Sequence, residues 1–460
     1  MPILWSEPGH HFRDPRLIRT LLSMMNTEEQ ILLIPFEINF PSYQRPLFEY
    51  TKYITSINYC LYEGIRNCIP TKEERKLYES EVEYAIKCSL ISMFLRTGEN
   101  LKYLYLDKII CNQLIFETLY ENTTITSIEL YNINNVFKFE AIDALAKIIC
   151  NNSTLTYLDL RHNQFGFEGL ETLLMAFYSN TTLTSLSLGY NILGPKGGKA
   201  LADILCNNTT FTSLDLSANN FASEGGKSLA DALCKNFTLT SLDLSANNLG
   251  SEGGKAFANA LCKNTTLTSL NLYGNNFESE EGKMIANALC MNATLTYLNL
   301  QENNLGLEGG KALANALCMN NTLTSLEIGS NHLGSEGGKA LADALRKNTT
   351  LISLDICDNN LRAEGGKALA DALCENITLT SLDISYNGLG SEGGKAFADA
   401  LCVNTTLLSL NVCKNNLCLE TLRKLLNALD TNTTLTSLNI RSNQISFQIL
   451  SNNQNVEIIQ

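Results

Sequence analysis

From Leu155 to Leu438 the chain repeats itself with an unbroken period of 28 residues. One copy, residues 239–266, reads LTSLDLSANNLGSEGGKAFANALCKNTT. Its first apolar position recurs at Leu155, Leu183, Phe211, Leu239, Leu267, Leu295, Leu323, Leu351, Leu379, Leu407 and Leu435. An asparagine closes the first nine residues of each copy, at Asn163, Asn191, Asn219, Asn247, Asn275, Asn303, Asn331, Asn359, Asn387, Asn415 and Asn443. A fixed period between about 20 and 50 residues demands a solenoid, because each copy is one structural unit that buries its apolar faces only against its neighbours.

Two periodicities share each copy. Leu242 and Leu244 alternate with polar residues, the spacing of a strand. Phe257 and Leu261 lie four apart with Ala256 and Ala260 beside them, one face of a helix. Ser251 is expected to cap that helix, with Glu252 suited to its positive end. Neighbouring helices need about 8–10 Å and neighbouring strands only about 4.8 Å, so the stack must bend with its parallel sheet on the concave side. Leu101, Leu104 and Leu106, then Ile125, Ile128 and Leu130, add two degenerate turns, giving an expected inner sheet of about 13 strands.

One turn cannot stand alone. Its large apolar side chains are worth roughly 1.5–3 kcal/mol each when buried. Ordering its backbone costs about 1–2 kcal/mol per residue. The repeated asparagine sits where the chain leaves the strand, and its amide can donate and accept at backbone groups that the strand ladder leaves unpaired.

The pattern LxxLxLxxNxL followed by GxEGGxALAxALxxNxT resembles the leucine-rich repeat, specifically its ribonuclease-inhibitor-like subtype, over residues 99–445. That resemblance implies an α/β fold: a right-handed horseshoe with a parallel inner sheet and outer helices, which binds other proteins chiefly on its concave face. It implies a non-catalytic, monomeric scaffold for a protein ligand.

Composition bounds the function. A net charge of -13 argues against a general nucleic-acid binder. No run of 18 apolar residues is present, so no membrane span is expected. The first residues, MPILWSEPGHHFRDPR, lack a basic start followed by an apolar core, so a cytoplasmic protein without a secretion signal is expected. N-x-S/T sequons recur, as at Asn180, Asn208, Asn264, Asn348, Asn404 and Asn432, and the repeat's NTTLTSL corner generates them by default. Cys206, Cys234, Cys262, Cys290 and Cys318 hold one helix position, and Cys374 and Cys402 resume the row. Adjacent helices are too far apart for disulfides, and no CxxC pair offers a zinc site, so half-buried, reduced thiols are expected.

Residues 1–98 depart from the repeat and are expected to form a mainly helical cap. Asp14-Pro15 should open a helix with Leu17, Ile18, Leu21 and Leu22 on one side. Thr27 with Gln30 reads as a capping box for a second helix ending before Pro35. Residues 36–70 carry no clear pattern. Thr71 with Glu74 reads as another capping box, opening a helix with Leu77, Val82, Ile86, Leu90 and Phe94 inward and Gly98 as its stop. The segment Pro2-Ile3-Leu4-Trp5-Ser6-Glu7-Pro8 resembles the closing part of an F-box, which implies the alternative of a substrate-recognition subunit of a cullin ubiquitin ligase. Residues 446–460 read as a short polar end.

No constellation points to catalysis. Gly226-Lys227-Ser228 looks like the tail of a phosphate loop, yet Phe221 stands where that motif needs glycine, and GGK recurs at Lys199, Lys255 and Lys311. His10, His11, His162 and His332 have no nucleophile or metal partners at a known spacing. Ran GTPase-activating proteins share the repeat subtype but have irregular loops and an acidic tail, which this chain lacks. No enzyme activity, cofactor or metal is expected.

What varies between turns is more informative. Just after the second strand leucine, most middle turns carry small residues such as Ser217-Ala218 and Ser245-Ala246. Other turns carry Tyr131, Arg161-His162, Tyr190, Tyr273, Gln301-Glu302, Asp358, Tyr386, Lys414 and Arg441. Alternation points the first of each pair onto the concave face and the second to its rim. Tyrosine and arginine are the types that anchor protein interfaces. Either a binding surface or repeat drift accounts for the pattern. Glu129, Asp159, Asp215, Asp243, Glu327, Asp355 and Asp383 line the middle of the same face, which favours a basic partner by steering, unless local pairing with serine and asparagine consumes them.

Overall fold

The structure, a computed structural model, describes residues 11–36, 50–69, 79–107, 113–133, 138–443 and 456–459. It divides into two compact units, Met1–Ile192 and Leu193–Gln460. The F-box-like segment 2–8, the capping box Thr71/Glu74 and Leu77 lie outside the described residues.

In the first unit, Asp14 caps the helix Pro15–Leu22 by accepting from the backbone N–H of Arg16, and Leu17, Ile18, Leu21 and Leu22 are buried as the spacing predicts. The next helix, Thr27–Ile31, corrects the expected capping box by one residue. The box is Asn26 with Glu29, not Thr27 with Gln30: Asn26 Oδ1 accepts from the N–H of Glu29 while the Glu29 carboxylate takes the N–H of Asn26. The unread consequence is that Glu29, almost fully buried, also binds Arg96 at 2.7 Å. The helix Glu79–Thr97 ends as expected, with the N–H of Gly98 donating to Phe94.

The unassigned segment 36–70 contains a strand, Ser56–Ile57, paired in parallel with Tyr103–Asp107. Ser127–Tyr131, Tyr157–Asp159 and Ser185–Ser187 follow in sequence order, all parallel. Helices Gln113–Glu121, Lys138–Asn151 and Gly166–Ser179 alternate with them.

The second unit repeats one register. Ser241 pairs with Ser269 and Leu242 with Leu270, one period apart, and the pattern holds from Ser213–Asp215 to Ser437–Asn439. A further strand, Glu457–Ile459, pairs beside Ser437–Asn439. One strand at Ser56 and one at Glu457 thus exceed the number that the leucine pattern alone counts. Leu239, Leu242, Leu244, Leu249, Phe257 and Leu261 of one turn are all buried, so the large apolar positions of the period face the core.

The helix beginning corrects the assignment of Ser251. The helix Gly250–Lys263 starts earlier and carries no side-chain cap. The next turn supplies the missing partners: the N–H of Leu249 donates to Asn275 Oδ1, and that of Gly250 to the Asn275 carbonyl. Ser251 is thereby free to donate to Glu281 one turn on, at 2.7 Å.

The glycines inside the repeat's helices have a packing role. A Cβ on Gly198 would sit 2.7 Å from the Cα of Gly225 on the neighbouring helix, and one on Gly282 3.2 Å from that of Gly309. Backbone meets backbone there, which explains why GGK recurs without phosphate chemistry. The thiol row differs from expectation: Cys206, Cys262, Cys318, Cys374 and Cys402 are exposed, and only Cys234 and Cys290 are half-buried. They lie near the helix ends, where the stack no longer covers them. Among the described residues no helix is long and apolar enough to cross a membrane.

Candidate protein-binding face

Alternation sends Leu242 and Leu244 into the core and leaves Ser241, Asp243 and Ser245 on the open side of the sheet. Immediately after comes a residue in the left-handed region: His162 (φ 60°), Tyr190 (59°), Glu302 (48°), Asp358 (51°), Tyr386 (57°) and Lys414 (51°). Such a φ costs a non-glycine residue about 1 kcal/mol or more. The repeated asparagine holds it. Asn387 Nδ2 donates to the carbonyl of Ser385 in its own turn and to that of Ile356 in the turn before, while the N–H of Asn387 donates to Asn415 Oδ1. The backbone on both sides of Tyr386 is fixed by the ladder, so the ring is thrown outward and is half exposed.

In the first unit the sheet face is aromatic. Tyr62, Tyr105, Tyr131, His162 and Tyr190 form a ladder with ring centroids 5.6, 5.6, 6.4 and 4.2 Å apart, the last two contacts stacked. Asp159, fully buried, organises its centre. It accepts the Tyr131 hydroxyl at 2.6 Å and binds the Arg161 guanidinium through Nε at 2.9 Å and Nη2 at 2.6 Å. Arg161 Nη2 also reaches the Tyr131 hydroxyl at 3.0 Å. Arg161 is therefore paired within the face. At Glu129 beside it, burial raises the carboxyl above the ordinary range, the Tyr103 hydroxyl pulls it back, Asp159 adds to the rise and Arg161 offsets part of it. Burial likewise pushes Tyr105 and Tyr157 up to about 12, so both hydroxyls remain neutral donors.

The face of the second unit is a row of carboxylates interleaved with amides. Asn271 Nδ2 donates to Asp243 at 2.8 Å, Asn299 to Glu327 at 2.7 Å, and Asn411 to Asp383 at 2.6 Å. Gln301 reaches two turns, donating to Asp355 at 2.7 Å across Gly329, where a Cβ would meet both Cys357 and Gln301. Burial raises Asp355, and the neighbouring Asp383 raises it further. Local pairing thus consumes much of this row.

The residues singled out from the sequence separate into groups. Arg161, His162 and Tyr190 share the aromatic ladder. Tyr386 and Lys414 share a cation–π contact at 4.4 Å. Gln301 is tied to the carboxylate row, and Asp358 accepts from Ser330 at 3.2 Å. Glu302 and Arg441 are exposed and Tyr273 is half-buried on the same side, each in a turn of its own. Sequence reasoning missed Tyr103, Tyr105 and Tyr157. They occupy the first and third strand positions, where other turns carry serine, aspartate or asparagine, so reading every outward position would have found them.

A family model described as Leucine Rich repeat matches residues 151–174, 179–202, 207–230, 235–258, 263–286, 292–314, 320–342, 347–370, 375–398 and 431–446, half of the chain. No curated protein matches. Among solved structures, the chain is similar to the leucine-rich repeat-containing protein LegL7 from Legionella pneumophila, 28% identical with a TM-score of 0.41, covering 59% of this chain and 90% of that one. It is also similar to a chain of the yeast Rad7 and Elc1 complex, 16% identical with a TM-score of 0.49, covering 82% and 90%. A third likeness, to the leiomodin-1 actin-binding site 2, is 23% identical with a TM-score of 0.29, covering 33% and 88%.

Proposed function

We propose, from the premise that this chain belongs to the leucine-rich-repeat family, that it is a non-catalytic scaffold which binds a basic protein segment on its sheet face. The 28-residue turn and its GxEGGxALAxAL helix support the ribonuclease-inhibitor-like subtype. The observation that carries the binding reading is the aromatic ladder Tyr105, Tyr131, His162 and Tyr190 beside Glu129. Tyr190 is half exposed, so the ladder opens at that end, and stacked rings supply large contact area at low entropic cost. A basic partner is favoured because Arg161 is held by Asp159 and Tyr131 and only partly offsets the rise that burial gives the half-buried Glu129 carboxyl, so a further cation would favour its ionised form. An aromatic face beside that carboxylate also accommodates a lysine or arginine side chain through cation–π contact.

The test is comparative capture from a cell extract. Parent, His162→Ala/Tyr190→Ala and the helix-side control Lys255→Ala/Lys311→Ala are used as baits. Basic proteins retained by parent and control but lost from the ladder variant support the reading. Identical captures by all three would refute it.

A further inference from the structure

The corner between each helix and the following strand carries the sequence N-x-T, and the structure gives it a function of its own. Asn264, Asn348, Asn404 and Asn432 are 3–6% exposed. Both donors of Asn264 Nδ2 are used one turn back, on the carbonyls of Leu233 at 2.9 Å and Asn236 at 3.0 Å. Its Oδ1 accepts the N–H groups of Thr266 and Leu267, bending the chain into the strand. The threonine joins in: Thr266 Oγ1 donates to the carbonyl of Leu239, at the start of the same copy, at 3.2 Å. Asn348 and Thr350 repeat the arrangement on Leu317, Asn320 and Leu323. This is a second asparagine ladder, at the opposite end of the strand from the first.

N-glycosylation would replace one hydrogen of that same Nδ2 with a sugar. The sugar would have to occupy the place where the carbonyl of the preceding turn stands, about one hydrogen bond away. We infer that the sequons of Asn264, Asn320, Asn348, Asn404 and Asn432 are closed to N-glycosylation, that glycan attachment and stacking exclude each other at these corners, and that this repeat assembles only in a compartment where the modification does not act. The inference is independent of what the sheet face binds.

Two measurements test it on the full chain. Purified folded protein and the peptides of its cleavage after glutamate, which keep Asn264, Asn320 and Asn348 internal, are each offered to an oligosaccharyltransferase with a lipid-linked oligosaccharide donor. Transfer at Asn264, Asn320 and Asn348 should be at least about a hundredfold slower on the folded chain, since the corner must open locally first. Comparable rates would overturn the inference. In the second measurement the full chain is sent through the secretory route of a glycosylating host behind a cleavable signal, and its protease-resistant and protease-sensitive fractions are mapped by mass spectrometry. Glycans at these asparagines should be confined to the sensitive fraction. A resistant, folded fraction carrying them at equal occupancy would overturn it, whether or not the first measurement agreed.

Discussion

The backbone N–H of Asn275 donates to the side-chain oxygen of Asn303, one turn on, at 3.1 Å, and the same oxygen takes the N–H of Phe277 at 2.9 Å. Each asparagine is acceptor for the turn before it, and its Nδ2 donates to two or three carbonyls. Asn275 returns the relation to Asn247 and Leu249, and its Nδ2 reaches the Leu244 carbonyl at 2.9 Å. It is fully buried. Asn275→Ala leaves these backbone groups without partners, which should cost about 1–3 kcal/mol. Urea denaturation of the whole chain measures it, and equal midpoints for variant and parent would exclude the ladder as a source of stability.

That ladder was legible because a period forces it: a residue that must serve the turns on both sides cannot vary. The two strand leucines and the helix face were legible for the same reason. The second ladder was seen only as a by-product of the corner, since nothing in N-x-T distinguishes an exposed asparagine from one sealed by its neighbours. Ser251 was misread because its local signal is that of a cap, whereas the caps come from the next turn, a contact across 26 residues. The strand Ser56–Ile57 is too short to display alternation. Of the binding face, His162 and Tyr190 stood out against small residues, but the neutralisation of Arg161 by Asp159 depends on geometry between side chains that spacing does not fix.

The glycine contacts predict a substitution opposite in sign to helix propensity. Alanine favours a helix over glycine by about 1 kcal/mol. At Gly198, however, a Cβ would lie 2.7 Å from backbone of the adjacent helix and 3.1 Å from the Phe221 ring. Overpacking of this kind costs about 1–3 kcal/mol. Gly198→Ala should therefore lower the thermal midpoint. A raised midpoint would mean that the helices separate without penalty.

The carboxylate row predicts a pH dependence. Asp355 is raised by burial, then by Asp383, so its folded-state value exceeds the unfolded one of about 3.9. The unfolded chain ionises first as pH rises, so this group removes stability across the window above about 3.9 and the loss persists at neutral pH. Asp355→Asn should raise stability at pH 7 while changing it little at pH 4. Denaturation at the two values checks the sign, and a variant weaker at pH 7 than at pH 4, relative to parent, would reverse it.

The thiols should differ in reactivity. Cys418, at the start of the helix Leu419–Ala428, is pushed down to about 7 by the Ser391 and Thr421 hydrogen bonds. Burial, with Asp355 beside it, pushes the Cys357 thiol up. At pH 7 iodoacetamide should label Cys418 at least about tenfold faster than Cys357. The Cys418 rate should level off above pH 7 while that of Cys357 continues to climb. Mass spectrometry of timed samples follows both, and equal labelling would place the two thiols in equivalent environments.

The binding face gives the last prediction, in which affinity and proton release are coupled. A cation seated beside Glu129 favours the ionised carboxylate, whose pKa in the free protein is raised mainly by burial. Binding a basic segment should therefore release protons near the free carboxyl's pKa, and affinity should fall as pH drops through it. Glu129→Gln removes both effects, giving weaker binding with little dependence on pH. The aromatic ladder contributes differently. His162 and Tyr190 stack at 4.2 Å and are both exposed, so cutting them to alanine removes contact area without opening the core. Interface anchors of this type cost about 1–2 kcal/mol or more each, and the stacked pair acts as one anchor rather than two additive ones, so the double variant should bind at least about tenfold more weakly at every pH. Calorimetry with a captured basic partner, in two buffers of different ionisation enthalpy, separates the two contributions. If Glu129→Gln binds like the parent and with the same pH profile, while His162→Ala/Tyr190→Ala still weakens binding, the ladder is the anchor and the partner's charge is read elsewhere. If both variants bind like the parent and Lys255→Ala/Lys311→Ala does not, the ligand sits on the helices and the sheet face is not the site.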